Sequence, residues 1–177
     1  MTSSVPHSVK VRVVRDNSLA SDLIGYFGGG YWAHMAIYVS PGYVIDARDD
    51  VVEGVAPGVQ KRPAAYLDAY PHWMDIEIPA SQLEQAKCYA LLEGQIGKPY
   101  DKLAIWNFFT GTVYDRNWRD QSAWFCDELD LYALEGAGII GQVGPLWRST
   151  PGTAAQILMA SGGQVTRSKG LPKALQV

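Results

Sequence analysis

Short alternating runs of apolar and polar residues fill the first half of this chain, and helical periodicity takes over later. Val9, Val11 and Val13 alternate with Lys10 and Arg12, which predicts a half-buried first strand. Ala33 to Ser40 predicts a second, with His34, Ala36 and Tyr38 on one face and Met35, Ile37 and Val39 on the other. Pro41-Gly42 makes a turn and Tyr43 to Ala47 returns, so the pair reads as a hairpin. Val51 to Val55 reads as a short third strand, with Pro57, Gly58 and Pro63 marking a loop after it, and Ala64 to Ala69 as a turn or two of helix. Met74 to Ile78 alternates again.

Helix signals follow. Ser81 and Glu84 form a capping box, opening a helix to about Ile96. Its predicted apolar row is Leu83, Ala86, Ala90 and Leu91, widened by Cys88, Leu92 and Ile96. Lys102 to Thr110 reads as an aromatic-rich helix, and Leu19 to Phe27 as an earlier short one ended by Gly28-Gly29-Gly30. From Cys126, the residues Leu129, Ala133, Leu134 and Ala137 recur at helical spacing, with Gly136 and Gly138 as stop signals. Thr153 to Ala160 predicts a last helix and Gly162 to Ser168 a last strand. Strands first and helices later define an α+β class, a small antiparallel sheet packed against helices. Residues 1–177 read as one domain, with loose ends at 1–8 and from Lys169.

Composition narrows the function. The net charge of -3, with no clustered Lys/Arg run, lacks the footprint of a nucleic-acid binder. No apolar run of about 18 residues predicts a transmembrane helix. The first eight residues lack the pattern of a signal peptide, so the cytoplasm is the expected compartment, with signal-independent export or release as the alternatives. Two cysteines, Cys88 and Cys126, make neither a disulfide framework nor a typical structural zinc site, and no cofactor or metal is expected.

Candidate chemistry centres on Trp124-Phe125-Cys126-Asp127-Glu128-Leu129, which sets a thiol at the start of an amphipathic helix. Helix-terminal N–H groups favour the thiolate there and can later hold an oxyanion. Such a thiol needs a base, and the base needs an orienting partner. His7 lies near the terminus and His72 in a loop before a strand; His34 stands on regular structure. Antiparallel pairing brings Asp46 of the neighbouring strand within reach of His34. Cys88 reads as core.

Four ordered stretches carry a family resemblance: His34-Met35-Ala36-Ile37-Tyr38-Val39, Gly42-Tyr43-Val44-Ile45-Asp46-Ala47, Gly97-Lys98-Pro99-Tyr100-Asp101 and Trp124 to Leu129. Together they resemble circularly permuted NlpC-type cysteine hydrolases, the YiiX-like group, whose papain-like fold places the histidine strand before the cysteine helix. The resemblance spans residues 9 to about 137. It implies Cys126 as nucleophile, His34 as general base and then acid, and Asp46 as orienting group, with Tyr100 and Trp124 lining the substrate and oxyanion side.

The chain departs from the family pattern in Ala36 for Gly, Asp46 for Glu and Asp127 for Ser, and Asp130 stands in place of an apolar residue. A carboxylate beside the thiol opposes the thiolate through like charge, although it also caps the helix favourably. The expected activity is hydrolysis of an amide bond in a small peptide, peptidoglycan stem peptides included, through a thioester. Aromatics such as Trp32, Trp118 and Trp124 either wall the pocket or pack the core. The alternatives are a lipid acyl-ester hydrolase or acyltransferase with the same triad, which an apolar groove would favour, and a papain-like binding module, which Asp127 and Asp130 favour.

Overall fold

In the computed structural model, residues 7–18, 21–22, 30–102, 122–144 and 149–175 are described. The helices expected over 19–27 and 102–110, the loop that follows the second, and Trp118 lie mostly or wholly outside them.

The described residues form a six-stranded sheet. Its strands are β1 Ser8–Arg15, β2 His34–Ser40, β3 Tyr43–Arg48, β4 Gly58–Pro63, β5 His72–Pro79 and β6 Gln164–Lys169. They are ordered β4-β3-β2-β1-β5-β6, and every pairing is antiparallel. Among the described residues three complete α-helices join the sheet: α1 Gln82–Glu93, α2 Cys126–Ala137 and α3 Pro151–Ala160. A 3-10 helix, Ala64–Ala69, connects β4 to β5.

The strand alternation divides two cores. Val9, Val11, Val13, Met35, Ile37, Ile45, Ala47, Ile76 and Ile78 meet Leu129, Ala133 and Leu134 of α2, Cys88 and Leu92 of α1 and Leu158 of α3. On the opposite face Val14, Ala36, Val44 and Trp73 pack with Tyr66 and Leu67 of the 3-10 helix. β1 is thus covered on both sides rather than half-buried. The side chain of Arg12 is taken out of water there and forks onto Asp75 at 2.6 and 3.0 Å.

Four expectations are corrected. Val51 to Val55 is not a strand: Val52 and Val55 bridge each other across a tight turn with Glu53 and Gly54 at positive φ. The third strand of the hairpin sheet is β4, in the stretch read as loop. It is an edge strand, so it has fewer inward positions to show an apolar pattern. Helix α1 stops at Glu93 and turns Cys88 and Leu92 inward, leaving Leu83 65% and Ile96 42% exposed. Ser8 and Lys169, expected in loose ends, are instead held in strands. Ser8 opens β1, and Lys169 closes β6 with its Nζ on the carbonyls of Asp68 and Tyr70.

Candidate active site

Helix α2 begins at Cys126, where the sequence pattern predicts it, and ends at Gly138 in the left-handed conformation. The chain leading into it is stitched to the sheet by the turn at residues 97–101. Val59 N–H donates to the Lys98 carbonyl and Gly97 N–H to the Val59 carbonyl, tying the turn to β4. Trp124 N–H donates to the Pro99 carbonyl and Asp101 N–H to the Trp124 carbonyl, tying it to the segment before the cysteine. Gly58 is needed at this junction. It has φ +101°, and a Cβ there would lie 2.5 Å from the Lys98 carbonyl oxygen.

The imidazole of His34 is held by a built network. Its Nε2–H donates to Asp46 Oδ2 at 2.9 Å. The same carboxylate oxygen accepts from the Tyr66 hydroxyl. Arg62 Nη1 donates to Asp46 Oδ1 at 2.5 Å, and Arg62 Nη2 donates to the carbonyls of Ala56 and Gly58 at 2.8 and 3.2 Å. Asp46 and Arg62 are both fully buried. Despite that burial, the donors from His34, Arg62 and Tyr66 keep the Asp46 carboxyl below its usual range, hence ionised. Burial lowers the His34 pKa, with the charges of Arg48 and Arg62 adding to it against the raising effect of Asp46. The ring is therefore neutral at neutral pH, protonated on Nε2, with the Nδ1 lone pair as its base.

The thiol arrives at the open end of the hairpin. β2 and β3 pair over Ile37↔Ile45, Tyr38↔Val44 and Ser40↔Tyr43, while β3 stays paired to β4 as far as Arg48↔Gly58. His34 turns its ring toward Asp46 and Tyr66, on the face carrying the 3-10 helix, whereas α2 packs on the opposite face. Cys126 Sγ meets β2 at the backbone of Met35, the residue next to His34, accepting from that amide and from the amide of Asp127, while its own side-chain hydrogen bond goes to Asp127 and not to the imidazole. Those amides lower the thiol pKa, but burial first and Asp127 second raise it well above the usual range. The helix terminus does not by itself make a thiolate; at rest the group is a thiol.

The two carboxylates of α2 are buried as well. Asp127 Oδ2 accepts from the Ser149 hydroxyl, and its Oδ1 lies 3.9 Å from Cys126 Sγ as acceptor of the thiol hydrogen bond. Burial pushes the Asp127 carboxyl up to about 7 against the lowering effect of Ser149. Among the described residues neither oxygen of Asp130 has a hydrogen-bond partner, and burial raises its pKa far enough to keep it neutral.

Tyr100 bridges to Trp124, its ring lies 5.7 Å from that of Phe125, and its pKa is raised by burial first and by the charge of Cys126 next. Trp124 is 2% exposed; its indole N–H donates to Gln95 Oε1 at 3.0 Å and its ring packs on Tyr132. It is core, as is Trp32. His72, expected in a loop, opens β5 and bonds the Gly170 carbonyl. The pattern missed Arg62, Tyr66 and Ser149. Each joins the site through a contact across 16 to 22 residues, and only the buried charge of Asp46 called for the first two.

The chain matches no family model and no curated protein. Among solved structures it is similar to the crystal structure of the metalloprotein YiiX from Escherichia coli O157:H7 (DUF1105), at TM-score 0.54 and 18% identity, over 75% of this chain and 66% of that one. At that identity the likeness is one of fold: a mixed α+β fold of the YiiX kind, spanning about two thirds of that protein's length. Among the described residues no group of three or more His, Cys, Asp and Glu side chains converges as metal ligands, and the Asp46 carboxylate is already engaged by His34, Tyr66 and Arg62. Among the described residues no helix is long and apolar enough to cross a membrane.

Proposed function

We propose that this chain is a thiol hydrolase of the permuted NlpC, papain-like type, cleaving an amide bond in a small peptide or related amide. The observation that carries the reading is the Arg62–Asp46–His34 line, which fixes a neutral imidazole tautomer beside the residue whose amide holds the Cys126 sulfur. Nothing in folding alone calls for an ionised carboxylate, an arginine and a histidine to be buried together, since replacing such groups by apolar ones is often neutral or stabilising.

In the proposed reaction His34 Nδ1 takes the proton from Cys126 as Sγ attacks the carbonyl carbon. Removal of the proton is concerted with attack, because the resting groups are thiol and imidazole rather than an ion pair. The oxyanion is met by the Cys126 backbone N–H and by the Tyr100 hydroxyl. Nδ1–H then protonates the leaving amine, the C–N bond breaks and a thioester remains. Water, deprotonated by Nδ1, releases the acid and restores the thiol. Asp46 stabilises the imidazolium formed in between. Trp124 positions the cysteine from behind, its indole being bonded to Gln95.

The test is turnover of stem-peptide fragments by the purified chain. Release of new amino termini that disappears in Cys126→Ala and falls by about 10²-fold or more in His34→Ala supports the reading. Turnover unchanged in Cys126→Ala refutes it. An acyl-ester substrate is the second reading: an apolar pocket of about 370 Å³ lined by Tyr31, Trp32, Met74, Ala155, Met159 and Val165 could take an acyl chain, although none of Cys126, His34, Asp46 and Tyr100 lines it. Esters whose turnover rises with acyl-chain length, with stem peptides untouched, would select it.

A further inference from the structure

We infer that Asp127 is a second proton acceptor for Cys126, held in place by Ser149. This rests on the thiol-hydrolase reading and adds a catalytic residue to it. The side-chain hydrogen bond of the thiol goes to Asp127 Oδ1, at 3.9 Å, while Ser149 occupies Oδ2. One oxygen is anchored and the other faces the sulfur, which is the arrangement of an oriented base.

The corner is dry. Cys126 is 1% exposed, and Asp127 and Asp130 are fully buried. Moving the proton from Sγ to the imidazole creates a thiolate and an imidazolium, two charges in a site with little water. Moving it from Sγ to Asp127 Oδ1 makes a thiolate and a neutral carboxylic acid: the S–H bond breaks, an O–H bond forms, and the single negative charge passes from oxygen to sulfur. The second route separates no charge, so burial penalises it less. As the base it is also the stronger of the two, with a carboxyl pKa near 7 against an imidazole below its ordinary range. The carboxylic acid so formed can return its proton to the leaving amine. His34 Nδ1 stays an acceptor of the Cys126 proton beside Asp127, and it alone serves the water that resolves the thioester.

Among the described residues, the ionisable groups acting on this corner are Cys126 and Asp130 from α2 and Tyr100 from the preceding turn, with Cys88 of α1 and Asp46 of β3 reached through Asp130. Tyr100 and Cys88 are held neutral by raised pKa values, as is Asp130. Asp127 is thus the group of this set that changes charge around neutral pH.

The experiment is the rate of Cys126 acylation by p-nitrophenyl acetate against pH, read by intact-protein mass spectrometry, in the full chain and in Asp127→Asn and Ser149→Ala. The expected wild-type rate rises with an inflection near pH 7, which Asp127→Asn removes while slowing the reaction about tenfold or more at alkaline pH. In Ser149→Ala the inflection moves to higher pH, because a bond that favours the carboxylate is lost; this arm stands even if Asp127→Asn does not fold. Acylation of Asp127→Asn as fast as wild type or faster, or an inflection unmoved in Ser149→Ala, overturns the inference. The thiol-hydrolase reading fails separately, if stem peptides and esters are turned over equally well by Cys126→Ala.

Discussion

Replacing Asp127 by Asn isolates one buried proton and gives a stability effect whose size and sign follow from its surroundings. The folded chain holds the Asp127 carboxyl near 7, against an ordinary value of 3.8, because burial outweighs the Ser149 hydrogen bond. A group whose folded pKa is raised stabilises the fold fully below its unfolded pKa and loses that contribution as pH climbs to the folded one. At about 1.4 kcal/mol per pH unit, wild type should lose about 4 kcal/mol relative to Asp127→Asn as pH rises from below 3.8 to above about 7. Urea unfolding of both chains across that range measures it. The other buried carboxyls titrate in both proteins, so the difference between the two curves reports Asp127. With an urea slope of about 2 kcal/mol/M the midpoints should diverge by about 2 M. A pH-independent difference, or one in which wild type gains on the Asn variant as pH rises, refutes the claim that burial governs this carboxyl.

Three further outcomes are expected. Arg62→Met leaves the Asp46 charge buried without its main cation and should cost about 3–5 kcal/mol in thermal or urea unfolding; a loss under 1 kcal/mol would mean the pair is incidental. Gly58→Ala combines a positive φ with a clash on the Lys98 carbonyl and should cost about 2 kcal/mol or more, with reduced Cys126 reactivity as the turn carrying Tyr100 shifts. Trp124→Phe removes the bond to Gln95 and should cost about 1–3 kcal/mol while leaving the substrate KM unchanged, since the indole faces the core; a raised KM would return Trp124 to the substrate side.

The elements nearest the chemistry were the most legible in the sequence, and for a physical reason. The α2 stripe of Leu129, Ala133, Leu134 and Ala137 and the hairpin alternation around His34 and Asp46 are both faces buried against a large core, so their periods are strict. The capping box at Ser81 is a local interaction, written in two residues. β4 was hidden because an edge strand with Val59 as its one inward aliphatic residue resembles a polar loop. The face of α1 was misjudged because small residues such as Ala86 and Ala90 suit either side, and Leu83 lies in the open. The protonation state of Cys126 was also illegible. Helix-terminal amides favour a thiolate, yet the depth of burial and the Asp127 carboxylate, both products of tertiary packing, prevail at rest. Asp127 and Asp130 are legible in the sequence as carboxylates on a helix whose pattern otherwise resembles one with Ser and an apolar residue at those places. Their separation into a Ser149-bonded acid and an unpartnered neutral one came only from the fold.

The central claim is that Cys126 is a nucleophile served by His34 and its buried Asp46 partner. Its most direct test is the covalent intermediate itself. Incubation with an activated acyl ester, followed by intact-mass and peptide mapping, should find a hydroxylamine-labile acyl group on Cys126, absent from Cys88, and strongly reduced in both His34→Ala and Asp46→Ala. Equal labelling of Cys88 and Cys126, or labelling of Cys126 indifferent to His34, would contradict it.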